Sequence, residues 1–452
     1  MRVRFWGTRG SLAKPGLTTL RYGGNTACVE VRTADGTLVV LDCGTGAHDL
    51  GLALGASSEP PLRGHLLITH THWDHIQGFP FFAPLFAAGN EWDIYAPGGL
   101  GQQLEATLAR QMEYTYFPIT LAHCGATIRF HDLAEGCFGI GGVRVVARYL
   151  NHPALTLGYR LEADGVAVVY ALDHEPHGRD PAGPVSRAAG GPPVHREDQR
   201  HVEFLEGADL VVHDAQYTAA EYPQKTNWGH TPAEWAVDYA LAAGARRLAL
   251  CHHDPLRDDE ALDEVVEICR QRVATSGGRL DVFAAAEGQI LELSGRGGAA
   301  AHAVPAGLTA LPTLAPVEGQ TILIADDDPA VLQLLTLALQ SDGFRLLTAG
   351  DGETALNMAR AERPALIVLD WHMPGADGIE VTRALRADAD PYLREVPVVL
   401  ITGTTGADST AVGFAAGVTD YLTKPIKLAH VRTRVRAWLL RRGTGATREP
   451  PR

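Results

Sequence analysis

Apolar residues recur in short blocks along the first two thirds of the chain. Runs at 38–41, 66–68, 143–147, 166–170, 210–212 and 248–250 read as strands, and several end directly in Asp or His. Stretches at 101–110, 232–243 and 258–273 read as helices between them. Strands with polar residues at their C-terminal ends and helices outside predict a layered α/β enzyme. After residue 320 the alternation resumes: apolar runs at 321–325, 366–369 and 398–401, and a fourth leading to Tyr421, are separated by helical stretches.

Between these two regions the pattern lapses. The segment 295–319 is rich in Gly, Ala and Pro, has few charges and no helical period, and reads as a linker. The expected organisation is a first domain over 1–295, a linker over 296–319, a second domain over 320–442 and a tail over 443–452. A second Gly/Pro-rich stretch, 178–193, reads as a mobile loop beside whatever site the first domain builds. Histidine usage changes across the linker: of 19 histidines, only His302, His372 and His430 follow residue 295. Histidine-based metal chemistry therefore belongs to the first domain.

The chain of 452 residues is 46 % hydrophobic and 20 % charged, enough to bury real cores. Lys+Arg 39 against Asp+Glu 53 gives a net charge of −14, of which the first 319 residues carry −13. That balance argues against a protein that grips a nucleic-acid backbone, since phosphate contact needs a positive surface. The opening residues lack the apolar core of a signal peptide, no apolar run is long enough to span a bilayer, and the six cysteines form no C-x-x-C pair. A cytoplasmic protein with reduced thiols and no membrane partner is expected.

The strongest local signal is His70-Thr71-His72-Trp73-Asp74-His75, directly behind the apolar run 66–68. Imidazole and carboxylate are natural ligands of Zn²⁺, Mn²⁺ or Fe, and a strand-to-loop turn can point four of them into one cavity. A solvated His-rich loop is the plain alternative, but four ligand-type residues in six positions behind a buried strand disfavour it.

H-x-H-x-D-H after a strand resembles the signature of the metallo-β-lactamase superfamily. Asp42 in Leu-Asp-Cys-Gly-Thr-Gly matches that family's early structural Asp, His152 its third histidine, Asp173 its bridging carboxylate and His252 its last histidine, with His253 an adjacent competitor. The resemblance implies an αββα sandwich with a binuclear site. His70, His72 and His152 would hold one metal and Asp74, His75 and His252 the other, with Asp173 and a water between them. Such a pair lowers the pKa of the water and steadies the attacking and leaving oxygens of a displacement.

Two further motifs narrow the chemistry. Val-Val-His213-Asp214-Ala-Gln-Tyr217 and Gly229-His230-Thr231-Pro232 resemble the acidic and histidine motifs of the phosphodiesterase branch, which contains ribonuclease Z and small cyclic-phosphate phosphodiesterases. This implies that His230 acts as general acid or phosphate ligand and that Asp214 orients it; with Asp74 they are the candidate catalytic residues. The same tetrapeptide also reads as a helix start with Thr231 as N-cap and Pro232 in the first turn, a cap that would fix His230 at the mouth. The segments Arg4-Phe-Trp-Gly-Thr-Arg-Gly-Ser11 and Tyr22-Gly-Gly-Asn-Thr26 also look like the start of this branch. Their glycines would let backbone approach the site, or simply make tight turns.

Residues 320–442 resemble a response-regulator receiver domain, which implies a doubly wound, flavodoxin-like (βα)5 fold. Asp326 and Asp327, chosen over Asp328 by their position after the strand, would hold Mg²⁺ with Asp370 and the backbone carbonyl of His372. Asp370 would accept a phosphoryl group from a sensor histidine kinase or phosphotransfer protein. Thr402 and Lys424 would contact the phosphoryl oxygens, and Tyr421 sits at the family's switch aromatic. Pairing into a homodimer rests on family analogy alone.

The expected function is a binuclear phosphodiesterase controlled by its receiver. The stretch 178–191 carries Arg179 and Arg187 against Asp180 and is scarcely basic, so a small cyclic nucleotide or cyclic phosphate suits the charge better than tRNA. A ribonuclease Z-like nuclease and a signalling adaptor with a non-catalytic metal domain are the rivals.

Overall fold

The computed structural model describes residues 1–57, 61–98, 104–178, 183–185, 195–295, 311–312, 319–403, 413, 416–426 and 428–443. Most of the expected linker, most of the 178–193 stretch and the tail beyond residue 443 lie outside the described residues. Two compact units form: Met1–Pro176 with Glu197–Leu314, and His177–Arg196 with Ala315–Arg452. Among the described residues no helix is long and apolar enough to cross a membrane.

The first unit is a sandwich of two seven-stranded sheets. One sheet holds β1 (Arg2–Gly7), β2 (Cys28–Arg32), β3 (Leu38–Leu41), β4 (Arg63–Leu67), β5 (Glu91–Pro97) and β6 (Thr127–Leu133), with β14 (Ile290–Glu292) added beside β1. The other holds β7 (Gly136–Ile140), β8 (Val143–Leu150), β9 (Thr156–Ala163), β10 (Val166–Ala171), β11 (Leu210–Asp214), β12 (Arg247–Cys251) and β13 (Asp281–Ala284). In each sheet an antiparallel half passes into a parallel one: β3–β4–β5–β6 in the first, β10–β11–β12–β13 in the second. Parallel strands need crossovers, and these supply the helices outside the sheets. α1 (Ala47–Ser57) and α3 (Leu104–Gln111) cover the first sheet, while α5 (Ala233–Ala242) and α6 (Asp259–Ser276) cover the second. The one-turn α2 (Trp73–Ile76) and α4 (Arg196–Leu205) complete the set.

Alternation in β1 and β2 explains the layering. Val3, Phe5, Val29 and Val31 are buried against the opposing sheet, while Trp6 and Cys28 join Leu50 and Leu54 of α1 in the outer core. The parallel halves place the C-terminal ends of β3, β4, β10, β11 and β12 at one rim, where a layered α/β fold gathers its chemistry.

The second unit carries a five-stranded parallel sheet in the order β16 (Arg345–Ala349), β15 (Thr321–Ala325), β17 (Leu366–Asp370), β18 (Val398–Thr402), β19 (Asp420–Thr423). Two apolar clusters, one on each face, pack it against α7 (Pro329–Gln340), α8 (Gly352–Glu362), α9 (Gly378–Arg386) and the last helix, Leu428–Gly443. This is the doubly wound arrangement expected, and β16 is a strand the apolar pattern did not single out.

Candidate metal centre

The residues of the H-x-H-x-D-H motif leave the end of β4 and turn at once into α2. Asp74 and His75 are thereby carried inward and buried, while His72 stays open to solvent. Strands of the second sheet bring the rest. His152 follows β8, Asp173 follows β10 and His252 follows β12.

Two triads result: the ligand atoms of His70, His72 and His152 converge, as do those of Asp74, His75 and His252. Asp173 lies between them and offers one oxygen to each. Its Oδ1 is 3.9 Å from His70 Nε2 and 3.6 Å from His152 Nε2; its Oδ2 is 3.0 Å from His75 Nε2 and 3.2 Å from His252 Nε2. Asp74 Oδ2 lies 3.3 Å from His75 Nε2 and 3.1 Å from His252 Nε2. His252, and not His253, joins the cluster; His253 Nε2 donates to the Ala285 carbonyl at 2.9 Å, and burial pushes its pKa down to about 3.

These atoms fit cations better than they fit one another. Nitrogens face nitrogens at 3.2 Å (His152 and His72) and 3.3 Å (His75 and His252). His70 Nε2 and Asp173 Oδ2 are buried with no aligned hydrogen-bond partner among the described residues, a costly state for polar atoms unless a ligand takes them. Burial dominates at His70 and His152 and lowers their pKa values. At His75 burial is outweighed by the carboxylates of Asp173, Asp74 and Asp42, which push it well above the imidazole range. Against the same cost of burial, the neighbouring imidazoles hold Asp74 and Asp173 well below the carboxylate range. A donor set of five imidazoles and two carboxylates suits Zn²⁺, Mn²⁺ or Fe.

The far nitrogens of three of the imidazoles are also committed, which sets the tautomer and angle of those rings. His75 Nδ1 donates to Asp42 Oδ2 at 2.8 Å, and Asp42 in turn accepts from the Thr69 amide at 2.7 Å and the Tyr170 hydroxyl at 2.9 Å. His252 Nδ1 donates to Gln216 Oε1 at 3.0 Å, and His152 Nδ1 to the Gly229 carbonyl at 3.0 Å. The Ser11 amide donates to Asp74 Oδ2 at 2.7 Å. Asp42, Asp173, His252 and Ser11 all hold positive φ near 60°, so four turns at this rim keep a backbone that side chains other than Gly or Asn disfavour.

His230 sits beside the cluster, its Nδ1 2.8 Å from Asp214 Oδ2 and 3.8 Å from Asp173 Oδ1. Burial opposes its charge, but Asp214 outweighs it and pushes His230 up to about 9. The helix-start expectation for this segment needs correction. Pro232 occupies the N-cap of α5 with no side-chain cap, and the Thr231 hydroxyl donates instead to the His174 carbonyl. It ties His230 to the strand end that carries Asp173.

Sequence reasoning missed Glu175, Gln216 and Tyr170. Glu175 is buried at 1 % exposure, and its carboxylate accepts from the Tyr222 hydroxyl at 2.8 Å and from the Asn227 and Gly229 amides at 2.6 and 2.8 Å. It clamps the segment that ends in His230. Its only sequence signal is a buried-type acid two residues after Asp173.

In the second unit, Asp326 and Asp370 end neighbouring strands. Lys424 Nζ lies 2.7 Å from Asp370 Oδ1 and 3.5 Å from Asp326 Oδ2. Burial, and then Asp370 among other neighbours, raises the Asp326 pKa. Asp327 is exposed, while Asp328 caps α7 by accepting from the Ala330 amide at 2.8 Å. The His372 amide donates to Asp370 Oδ2 at 3.2 Å; Thr402 ends β18, next to β17, and Tyr421 is buried with its ring 6.3 Å from that of Trp371.

Residues 37–253 match the family model described as a beta-lactamase superfamily domain, and residues 322–436 that of the response regulator receiver domain. The chain thus joins a metallo-β-lactamase-fold domain to a response regulator receiver domain. Domains of the first kind typically bind divalent metals, and receivers bind Mg²⁺. Among curated proteins, the DNA-binding response regulator MtrA of Mycolicibacterium smegmatis is 42 % identical over 122 residues, 27 % of this chain and 51 % of that protein. The chain spans about half the length of the curated relatives it matches. Among solved structures, the metallo-beta-lactamase fold protein YhfI from Bacillus subtilis aligns with a TM-score of 0.45 and 18 % identity over 65 % of this chain and 98 % of its own. Human tRNase Z, short form, aligns with a TM-score of 0.43 and 20 % identity over 65 % and 99 %.

Proposed function

We propose that the protein is a metal-dependent hydrolase, specifically a binuclear phosphodiesterase for a small cyclic nucleotide or cyclic phosphate, controlled by phosphorylation of Asp370. In this reading residues 1–295 form the hydrolase, 296–319 the linker, 320–442 the receiver and 443–452 a tail. The carrying observation is that both ligand triads, Asp173 between them and the Asp214–His230 pair meet at one rim.

His70, His72 and His152 would hold one divalent cation and Asp74, His75 and His252 the other, with Asp173 between. When bound, such a pair supplies Lewis acidity to phosphoryl oxygens and a nucleophile activated from water at neutral pH. The protein's own contribution is positioning and proton supply. With Nδ1 committed to Asp214, His230 has Nε2 left to protonate the departing oxygen. Burial of the ligand set keeps bulk water from competing, and the His72 side is open for entry.

The acidic balance of the first 319 residues supports a small substrate over a polynucleotide. Trp73 stands exposed within the ligand motif, and Lys225 Nζ lies 4.5 Å from the exposed Trp228 ring, next to Gly229 and His230. Rings and one cation at the entrance suit a planar, anionic substrate. In the receiver, Lys424 beside Asp370 and Asp326 supports phosphoryl acceptance with Mg²⁺ held by Asp326, Asp327, Asp370 and the His372 carbonyl; a histidine kinase or phosphotransfer protein is the donor.

The test is hydrolysis by the Mn²⁺-loaded protein of cyclic mononucleotides, cyclic dinucleotides and tRNA, beside Asp74→Ala. Turnover of a cyclic nucleotide that disappears in the variant supports the proposal. Cleavage confined to tRNA replaces it with the nuclease, and inactivity on all three overturns the phosphodiesterase and leaves a carboxylic-ester hydrolase or the adaptor.

A further inference from the structure

A second charged site lies on the outer face of the first sheet, away from the rim. Strand alternation puts Arg2, Arg4 and Trp6 of β1 on one face, with Glu30 and Arg32 of β2 beside them. The antiparallel register sets Arg2 directly opposite Arg32 and Arg4 opposite Glu30. With the apolar side of α1, these side chains line a cavity of about 250 Å³.

Charge in this cavity does not balance. Glu30 is the one acid in its lining, and both its oxygens are taken: Oε1 lies 2.5 Å from Arg32 Nε and 3.6 Å from Arg2 Nη2, and Oε2 accepts from Trp6 Nε1 at 3.0 Å. Arg4 stacks on the Trp6 ring at 3.8 Å, and its buried Nε has no hydrogen-bond partner among the described residues. Three guanidinium groups thus face one carboxylate, in a region of the chain that is otherwise strongly acidic. Like charges placed opposite each other across two strands destabilise the pair, and a buried N–H left empty adds to the cost. An anion relieves both.

We propose that this cavity binds a small phosphorylated ligand through its phosphoryl oxygens, held in the guanidinium forks of Arg2 and Arg4 beside the Trp6 ring. Guanidinium is planar and bidentate towards phosphate, and its stacking on an aromatic ring presents the fork edge-on. A volume of about 250 Å³ takes a phosphoryl group with a small substituent. β1 ends at Gly7, and four residues on the Ser11 amide holds Asp74, so an occupant sits on the strand that leads towards the metal-ligand cluster. The inference is independent of the metal centre's activity.

Inorganic phosphate and inorganic diphosphate are the probes, titrated calorimetrically into the full chain and into Arg4→Met, Arg2→Met and Asp74→Ala. Saturable binding is expected in the unaltered chain and in Asp74→Ala, and binding weaker by about ten-fold or more in either arginine variant. Without ligand, Arg4→Met should melt close to the parent, because its Nε makes no hydrogen bond to lose and the Met side chain keeps an apolar contact with the Trp6 ring, and the phosphate-induced rise in Tm should vanish. Absence of binding in the parent overturns the proposal, as does undiminished binding in both arginine variants. Loss confined to Asp74→Ala assigns the anion to the metal centre instead. An Arg4→Met protein that melts well below the parent, with Arg2→Met binding normally, makes Arg4 a packing element and sinks the idea.

Discussion

Gly229 links Glu175 to His152: the Gly229 amide donates to Glu175 Oε2 at 2.8 Å, and the Gly229 carbonyl accepts from His152 Nδ1 at 3.0 Å. The position tolerates no side chain, since its φ is +89° and a Cβ would lie 2.2 Å from His152 Nδ1. A carboxylate two residues beyond Asp173 thus sets the angle of a ligand imidazole on another strand and holds the segment that ends in His230. Glu175→Gln would turn one accepting oxygen into a donor facing an amide N–H. The expected result is about 10- to 100-fold weaker metal affinity, with activity recovering in excess metal. Metal titration followed by elemental analysis checks this; unchanged affinity reduces Glu175 to a filler of space.

The Asp214–His230 pair gives a prediction that separates proton supply from metal binding. His230→Ala should retain its metals and lose on the order of 10²- to 10⁴-fold in kcat on an alkyl phosphodiester. The defect should shrink sharply on a p-nitrophenyl phosphodiester, whose leaving group departs without a proton. Asp214→Asn should fall between parent and His230→Ala on both. Equal losses on the two substrates would instead place His230 in ground-state binding.

Asp420 predicts how the receiver behaves in acid. It is buried, and Arg434 at 3.0 Å and the Trp438 indole at 2.9 Å overcome the burial cost and bring its pKa down to about 2. A carboxyl with a depressed folded-state pKa stabilises the fold above its unfolded value near 3.9, and the gain is lost as pH falls towards 2. The difference is worth about 2–3 kcal/mol. Urea unfolding of the receiver transition at pH 7, 4 and 2.5 should therefore show Asp420→Asn clearly weaker than the parent at neutral pH, with the gap closing at the lowest pH. A gap independent of pH would mean that shape, and not charge, is what Asp420 provides.

Much of this was readable along the chain, for a definite reason. The candidate ligands sit at strand ends, so an apolar run followed by His or Asp announces both the strand and the group it carries: β4 before His70, β10 before Asp173, β17 before Asp370. Adjacent His252 and His253 could not be ranked that way, because neighbouring residues leave a strand on opposite sides and only the assembled sheet tells which side faces the cluster. Glu175, Gln216 and Tyr170 stayed silent for another reason. Their partners lie 54, 36 and 128 residues away, and no local period encodes such contacts. Thr231 looked like a helix cap because its neighbours fit that pattern; a carbonyl brought in by another strand claimed its hydroxyl instead.

Gly10 supplies the most direct test of the second triad. A Cβ there would stand 2.2 Å from His252 Nδ1 and 2.4 Å from its Cε1, in the gap through which that ring reaches Asp74 and Asp173. The ring cannot yield cheaply, because Gln216 Oε1 already holds that same Nδ1 at 3.0 Å while Nε2 faces Asp74 and Asp173. Gly10→Ala should therefore push His252 off its position and drop the bound metal from two ions per chain towards one, leaving the site of His70, His72 and His152 filled. Gly16→Ala, where a Cβ meets nothing within 4 Å, is the matched control and should bind as the parent does. Elemental analysis of both variants decides it: two ions in Gly10→Ala would show that His252 is no ligand, and the loss of both would show that the two sites fill only together.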